Sequence, residues 1–336
     1  MSEPCSLVEG ERAGWRALTL RNGCVEVTVL PERGCEIYEF RDRSTGVDVL
    51  FKSPWGLQPP GTAARAGSEG MEFLHNYGGG WQELLPSCND PCTYRGVELP
   101  FHGEVAVALW DVRVESEGGE AVELIGRVRC RLTPFALERR MLLERGRATL
   151  TLQERVENTP GAAHHLVWGH HCVVGAPFLE AGCRLHAPAR TILTLPEAWE
   201  DSARLARAQR EPWPHARLAA GGRTDLREIP GPEAGSHDDV FLTDLEEGTV
   251  AVENPRLGRT FRLRFDRSLF GWVCSWQPYG GAHALPLAGS YALGIEPWVS
   301  SGNLEQAVAA GEAIELAGGA SLETTLTATI EGGPVA

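Results

Sequence analysis

Residues 24–29 read Cys24-Val25-Glu26-Val27-Thr28-Val29, in which valines alternate with other residues directly after the turn pair Asn22-Gly23. Alternation with a period of two places the two sets of side chains on opposite faces of an extended strand. Asn-Gly tolerates the positive φ that a tight turn needs. The stretch therefore predicts a strand with one buried and one solvated face. The same period returns at 127–132, 149–153, 261–265 and 322–327.

Strands with one solvated face are typical of antiparallel sheets, because a parallel α/β sheet is covered on both faces and has continuously apolar strands. Only residues 202–209 and 303–309 look helical, and both stretches are short. We therefore predict a mainly β protein, a large antiparallel β-sandwich with few short helices. No linker or internal repeat divides the sequence, which predicts one domain over residues 1–336 with long loops at about 52–104 and 186–238.

Composition excludes several classes of function. The 336 residues are 43% hydrophobic and 23% charged, as expected of a folded globular protein. The formal charge of −14 has the wrong sign for binding nucleic acid or an anionic membrane surface. Nine cysteines are scattered without a C-x-x-C pair, so we expect reduced thiols, most of them in the core. The sequence lacks a signal peptide and any apolar run of about 20 residues, which predicts a cytoplasmic protein.

Histidines are the first candidates for chemistry, since the sequence has no phosphate-binding G-x-x-x-x-G-K-[ST] loop and no G-x-S-x-G elbow. His102 lies at a loop–strand junction, where binding residues concentrate. His164-His165 and His170-His171 lie in an apolar segment. On an extended strand His165 and His171 share one face, because their separation of six is even. No carboxylate lies between these histidines, so we expect no metal site.

Carboxylates complete the set of candidates. Glu296 ends an apolar strand beside Pro297, and a carboxylate in such surroundings should be paired or functional. Asp238-Asp239 precedes the apolar Val240-Phe241 in a similar way. Tryptophans, whose indole rings pack well against the apolar face of a pyranose, lie near these candidates at positions 81, 168, 272, 276 and 298.

Together these segments resemble the aldose 1-epimerase (galactose mutarotase-like) family over most of the chain and in the expected order. An early segment, Leu30-Pro31-Glu32-Arg33-Gly34-Cys35-Glu36-Ile37, is similar to the family's opening hairpin. The later segments that carry the resemblance are Gly80-Trp81-Gln82-Glu83-Leu84-Leu85-Pro86, His102-Gly103-Glu104, Trp168-Gly169-His170-His171, Asp238-Asp239-Val240-Phe241 and Gly294-Ile295-Glu296-Pro297-Trp298.

The resemblance implies a galactose mutarotase-like supersandwich that interconverts the α and β anomers of a free aldose without a cofactor. It assigns Glu296 as general base, His171 as general acid and His102 as a polar partner of the ring oxygen or C1 hydroxyl. His171 is preferred to His170 because it opens the segment that matches Cys172-Val173-Val174. The candidate sugar-binding residues are Asp238, Gln82, Glu83, Trp81, His170 and Trp298.

The chain departs from the galactose-type pattern. Residues 76–82 contain no Asn-Arg pair, and Cys172-Val173 replaces the aromatic pair that follows the acid histidine, so neither galactose nor glucose is indicated. The expected partner is a small-molecule sugar, and the expected state is a monomer or homodimer.

Three alternatives remain open at this stage. One is a non-catalytic carbohydrate-binding protein on the same fold. Another is a glycoside hydrolase that pairs Glu296 with Glu83, Glu104 or Asp238. The last is a sugar-phosphate epimerase, which requires an arginine at the groove; Arg95 and Arg184 are the nearest in sequence.

Overall fold

The structure is a computed structural model that describes residues 3–62 and 70–332. The amino-terminal strands are β1 Ser6–Arg12, β2 Trp15–Arg21, β3 Val25–Leu30, β4 Glu36–Asp42, β5 Trp81–Leu84, β6 Cys92–Tyr94, β7 Val97–Leu99, β8 Asp111–Ser116, β9 Ala121–Arg129, β10 Phe135–Glu144, β11 Thr149–Asn158, β12 His164–Leu166 and β13 Gly169–Gly175. The carboxyl-terminal strands are β14 Arg184–His186, β15 Thr191–Thr194, β16 Arg210–Pro212, β17 His215–Arg217, β18 Arg223–Asp225, β19 Ser236–Thr243, β20 Thr249–Asn254, β21 Arg259–Arg264, β22 Trp272–Tyr279, β23 Ala292–Gly294, β24 Glu296–Trp298, β25 Ile314–Leu316 and β26 Ser321–Gly332. The helices are α1 Glu72–His75 and α2 Leu304–Ala310, with 3-10 turns at Val105–Val107 and Pro232–Ala234.

Two antiparallel sheets contain most of these strands. The large sheet has 12 strands in the order β1-β2-β3-β4-β5-β13-β24-β22-β19-β15-β16, with β23 also paired to β13. The small sheet has 8 strands in the order β14-β20-β21-β26-β11-β10-β9-β8. The predicted fold class, a mainly β antiparallel sandwich with few short helices, is confirmed.

The core lies between the two sheets and follows the alternation seen in the sequence. Val25, Val27 and Val29 of β3 are fully buried, and β10 alternates buried and half-buried residues along most of its length. Phe40 of the large sheet contacts Phe261 of the small sheet, with ring centroids 5.3 Å apart. The sandwich is therefore held by the inward face of each sheet, while the opposite face of the large sheet is free to carry other features.

Local composition predicted one of the two helical stretches correctly. Residues 303–309 correspond to α2, where the Asn303 side chain accepts the Gln306 backbone N–H and Gln306 caps in return. The helix expected at 202–209 is wrong. There the backbone N–H of Leu205 donates to Asp238 at 2.9 Å and Leu205 bridges to Leu218, so tertiary contacts override the weak propensity of this stretch.

The two stretches expected as long loops contain short elements. Stretch 52–104 contains α1, β5, β6 and β7, and stretch 186–238 contains β15 to β18. Residues 63–69 of the first stretch, and residues 1–2 and 333–336 of the predicted single domain, lie outside the described residues. All nine cysteines are unpaired, and seven of them are buried, as expected. No helix among the described residues is long and apolar enough to cross a membrane.

Candidate active site

A pocket of about 170 Å³ opens on the face of the large sheet that points away from the small sheet. Its floor is formed by alternate residues of β13, β24, β22 and β19, four neighbouring strands. The sheet residues that line it are His171, Glu296, Trp298, Cys274, Trp276, His237, Asp239 and Phe241. The pocket has room for many waters, since one water occupies about 10–15 Å³ on the same measure. It is the size of site that a small molecule uses.

Glycines let the floor residues approach one another closely. A Cβ at Gly294 would lie 2.3 Å from Glu296 Oε1, so only glycine leaves space for this carboxyl. A Cβ at Gly169 would lie 2.6 Å from Trp298 Cδ1, where β13 pairs with β24. Both glycines belong to the segments that carried the family resemblance, and the structure gives their physical reason.

His171 is held by Gln82, its partner across the β5–β13 ladder. The Gln82 amide nitrogen donates to Glu36 Oε2 at 2.8 Å and to the Gly79 carbonyl at 2.7 Å, which leaves its oxygen as the acceptor 3.2 Å from His171 Nδ1. His171 therefore carries its proton on Nδ1 when neutral and turns Nε2 toward Glu296, 3.8 Å from Oε1. Gln82, expected to bind the sugar, lies behind the pocket and positions His171 instead.

His102 occupies a left-handed turn, at φ 63°, that brings it over the same floor. Its Nδ1 accepts the backbone N–H of Asn89 at 3.0 Å, so the neutral ring carries its proton on Nε2. The centroids of the His102 and His171 rings are 5.1 Å apart. Burial, with the neighbouring His171, lowers the pKa of His102 well below its usual range. His102 is thus a neutral N–H donor.

Glu296 and His171 form a proton-sharing pair without another counter-charge. Burial, with the nearby Asp239, raises the pKa of Glu296 well above its usual range, and Oε1 has no hydrogen-bond partner among the described residues. Burial lowers the pKa of His171 to about 3. The one proton of this pair therefore resides on the carboxyl, and His171 Nε2 is an acceptor.

Asp239, rather than Asp238, faces the pocket. Asp238 turns to the opposite face of β19, where its carboxylate accepts the Leu205 N–H at 2.9 Å and pairs with Arg204 at 3.2 Å. The placement of Asp238 at the sugar is therefore wrong by one residue, which on a strand reverses the face. Burial raises the pKa of Asp239 to about 6, so Asp239 is ionised at neutral pH. The sequence analysis had quoted both residues and had chosen Asp238.

Glu83, His170 and Trp81 were also expected at the sugar, and all three point instead into the sandwich. Glu83 pairs with Arg139 of the small sheet, Nη1 to Oε2 at 3.2 Å, and accepts the indole N–H of Trp168. His170 Nε2 lies 3.2 Å from Glu154 Oε2, and Trp81 donates its indole N–H to His170 Nδ1 at 3.3 Å. We call Glu83, Glu154, His170 and Arg139 the interior cluster. It joins the two sheets and does not reach the pocket.

The interior cluster contains residue types that bind metals. Glu83, Glu154 and His170 each offer an atom, and these atoms lie within 4.8 Å of one another. Arg139 is fully buried beside Glu83, however, and supplies the positive charge that a metal would bring. The cluster is therefore compensated by its own side chains.

Two loops cover the pocket and are joined by Glu200. Its carboxylate accepts the backbone N–H groups of His283 and Ala284 at 2.8 and 2.7 Å, and it bonds His237 Nδ1 at 2.8 Å. His237 Nε2 in turn accepts the indole N–H of Trp276 at 2.7 Å. The sequence analysis did not identify Glu200 or the 283–284 backbone, because both lie in loops without a strand or helix pattern.

The remaining sequence candidates lie elsewhere. Trp298 lines the pocket, as expected. Glu104 accepts the backbone N–H groups of Arg131 and Leu132 outside it. Arg95 donates to the Ala163 carbonyl, and Arg184 pairs with Glu228. Neither arginine lines the pocket. The carboxyl partners named for Glu296 in the glycoside hydrolase alternative, and the arginines named for the sugar-phosphate epimerase, therefore do not line the described pocket. The carboxyl groups that line it besides Glu296 are Asp239 and Glu200.

Solved structures with the same fold include several bacterial proteins. The Slr1438 protein of Synechocystis sp. PCC 6803 has a TM-score of 0.69 at 16% identity, with 96% of this chain and 99% of that chain covered. A Klebsiella pneumoniae protein provisionally named an aldose 1-epimerase has a TM-score of 0.73 at 18% identity, covering 98% and 83%. A galactose mutarotase-like protein of Lactobacillus casei has a TM-score of 0.62 at 14% identity, covering 94% and 100%.

These likenesses confirm the galactose mutarotase-like fold that the sequence resemblance predicted. No curated protein matches the chain in sequence. One family model, described as a domain of unknown function (DUF4432), matches residues 12–330, nearly the whole chain, and the protein therefore belongs to the DUF4432 family.

Proposed function

We propose that this protein is a cofactor-free aldose 1-epimerase that interconverts the anomers of a free sugar. The proposal rests on one observation: His102, His171 and Glu296 lie together at the floor of one pocket. His171 Nε2 is 3.8 Å from Glu296 Oε1. These groups come from a loop and two different strands, and no structural role within the described residues accounts for the unpartnered Glu296 Oε1. The fold that the chain shares with proteins provisionally named as epimerases also supports the proposal.

Ring opening needs one group that takes a proton and another that gives one. His171 Nε2 accepts the C1 hydroxyl proton while the Glu296 carboxyl protonates the ring oxygen, the C1–O5 bond breaks, and C1=O forms. The His102 N–H stabilises the oxygen that gains charge. Rotation about C1–C2 presents the other face of the aldehyde. Closure then returns the O5 proton to Glu296 and the His171 proton to the new C1 hydroxyl.

Opening leaves a carboxylate beside an imidazolium, which attract each other in the buried pocket. The assignment implied by family resemblance, with Glu296 as base and His171 as acid, is the same pair with its proton on the imidazole. The pKa directions favour starting from the protonated carboxyl. The pair holds one proton whether that proton begins on Glu296 or on His171. The same two groups can therefore open and close the ring of either anomer.

Glu296→Gln tests the proposal by keeping the shape of the side chain while removing its exchangeable acid proton. We expect the acceleration of anomer exchange to fall by about 10²–10⁴-fold, the usual contribution of one positioned acid–base group. Polarimetry of freshly dissolved single anomers, or exchange NMR, measures the rate across a panel of aldoses. Glu115→Gln is the matched control, because Glu115 is exposed on β8 and undergoes the same substitution away from the pocket.

An unchanged rate in Glu296→Gln would remove Glu296 from the mechanism. Sugar binding by the wild-type protein without any acceleration would favour the non-catalytic carbohydrate-binding protein on this fold.

A further inference from the structure

The pocket has an uneven supply of hydrogen-bonding groups. The free ones lie at the floor: the Glu296 and Asp239 carboxyls, His171 Nε2, His102 Nε2, the Trp298 indole N–H and the hydroxyl of Tyr77. The Tyr77 ring packs against His171 and Trp276 of the floor. Other polar side chains of the pocket are already occupied. His237 of β19 is bonded through both nitrogens, Glu200 holds the roof loops, and the Asn89 side chain donates to the Ser301 carbonyl at 3.4 Å. A bound sugar therefore meets its polar partners at the anomeric end.

Apolar side chains form the walls and the mouth. Phe73 and Phe101 line one side, and Leu195, Leu287, Trp199 and Leu285 line the side formed by the roof loops. Trp199 is 43% exposed and Leu285 is 65% exposed, so two large apolar residues stand at the entrance. A hydroxyl placed against these walls loses water without gaining a partner, which costs free energy, whereas a methyl group gains by burial.

The charged residues that line the pocket restrict the chemical class of the ligand further. Among the described residues that line the pocket there is no lysine or arginine, and the ionisable acids are Glu200, Asp239 and Glu296. A phosphate, sulfonate or carboxylate on the substrate would be desolvated beside acids with no cation to pair with it.

We infer that the substrate is an uncharged sugar with an apolar group on the carbons far from C1, of which a 6-deoxyhexose is the simplest case. This inference rests on the proposed function for the position of C1 above Glu296 and His171. It names the substrate class of the same site.

Two series of three sugars test this substrate class. One series is glucose, 6-deoxyglucose and glucose 6-phosphate, and the other is galactose with its corresponding 6-deoxy sugar and 6-phosphate. We expect kcat/KM for anomer exchange to be about 10–100-fold higher for the 6-deoxy sugar than for the parent, the range for one misplaced hydroxyl or one methyl-sized group. The 6-phosphate should fall at least about 100-fold below the parent. Equal or faster exchange of both parents, or of either phosphate, would overturn the inference.

A charge added at the mouth sharpens the test. Leu285→Arg should raise kcat/KM for the 6-phosphate at least about tenfold, because the new cation pairs with the phosphate at the entrance. Leu109→Arg is the control, since Leu109 is 72% exposed and does not line the pocket. An equal effect of both variants would mean that the phosphate responds to net charge only and would contradict the assigned position of the mouth.

Binding separates this inference from the catalytic proposal. Tryptophan fluorescence reports sugar binding, because Trp199, Trp276 and Trp298 line the pocket. If no sugar exchanges faster yet the 6-deoxy sugars bind about tenfold tighter than their parents, the epimerase proposal fails and the substrate class stands. If none of the six sugars binds, the substrate class fails as well.

Discussion

His170 and His171 are neighbours in β13, and the two faces of this strand place them in opposite electrostatic surroundings. His170 lies in the interior cluster, where Glu83 and Glu154 outweigh the effect of burial and raise its pKa. His171 lies on the pocket floor, where burial lowers its pKa to about 3. Both rings are buried and both face a carboxyl group. The difference is the number of counter-charges.

On the inner face every charge of the interior cluster has an opposite charge beside it, and the cluster ties the two sheets together. On the outer face Glu296 has no cation among its described neighbours. The charged group that affects its pKa is another acid, Asp239, which raises that pKa further. A protein gains no stability from such an arrangement, since a buried carboxyl without compensation is unfavourable. Uncompensated groups are therefore a better guide to the functional face than buried charge alone.

Exchanging each histidine for glutamine should give opposite phenotypes, and this is the largest effect expected. His171→Gln removes the proton acceptor at Nε2 and should lower the rate of anomer exchange by about 10²–10⁴-fold with little change in the free energy of unfolding. His170→Gln removes the cation beside Glu154 and should lower the free energy of unfolding by about 1–3 kcal/mol. Exchange NMR and urea unfolding, applied to both variants, measure the two quantities. If both variants lost similar stability and kept equal activity, the proposed difference between the two faces of β13 would be wrong.

The pH dependence of stability should reflect carboxyls on both faces. Burial and Glu154 raise the pKa of Glu83 to about 8, and the pKa of Glu296 is also raised. The folded state thus keeps protons that an unfolded glutamate releases near pH 4.5. Below about pH 6.5 the lowered pKa values of His102 and His171 oppose this effect, because the unfolded imidazoles bind protons that the folded ones do not. The free energy of unfolding should therefore fall as the pH rises from about 6.5 to 8. Each group contributes a slope of up to about 1.4 kcal/mol per pH unit.

Glu83→Gln and Glu296→Gln should each reduce this slope, which urea unfolding at pH 6.5, 7, 7.5 and 8 would measure. Glu83→Gln should also lower stability at pH 6.5, because its single amide oxygen cannot accept both N–H groups, of Arg139 and of Trp168, that the two Glu83 oxygens accept. Glu296→Gln should not have this effect. A free energy of unfolding that rises with pH over this range would contradict the assigned pKa directions.

Protonation of Asp239 should produce the smallest of these effects, a change in the KM for the sugar. Its pKa is raised to about 6, so protonation below that pH removes a charged acceptor from the pocket. KM should rise by roughly tenfold between pH 7 and pH 5, one power of ten per pH unit below the pKa. In Asp239→Asn, KM should be high and nearly constant over this range. Asp238→Asn is the comparison on the other face of β19 and should keep the pH dependence of the wild type.

The sequence predicted the strands well because their signal is local. Residues 24–29, 149–153 and 322–327 alternate in sequence, and they form β3, β11 and β26. Local composition fails where contacts from elsewhere in the chain decide the backbone, as at 202–209, which was expected to be helical. The site was predicted in part: His102, His171, Glu296 and Trp298 line the pocket, whereas Gln82, Glu83, Trp81, His170 and Asp238 lie behind it or on the opposite face.

The amino-acid sequence by itself determined the antiparallel sandwich, because alternation of apolar and polar residues is a property of each strand and needs no partner to be seen. Only the tertiary structure decided which member of each adjacent pair lies on the pocket side of its strand: Gln82 or Glu83, His170 or His171, Asp238 or Asp239. A shift of one residue reverses the face of a strand, and the direction is set by charges such as Arg139 and Arg204 that come from distant strands and loops.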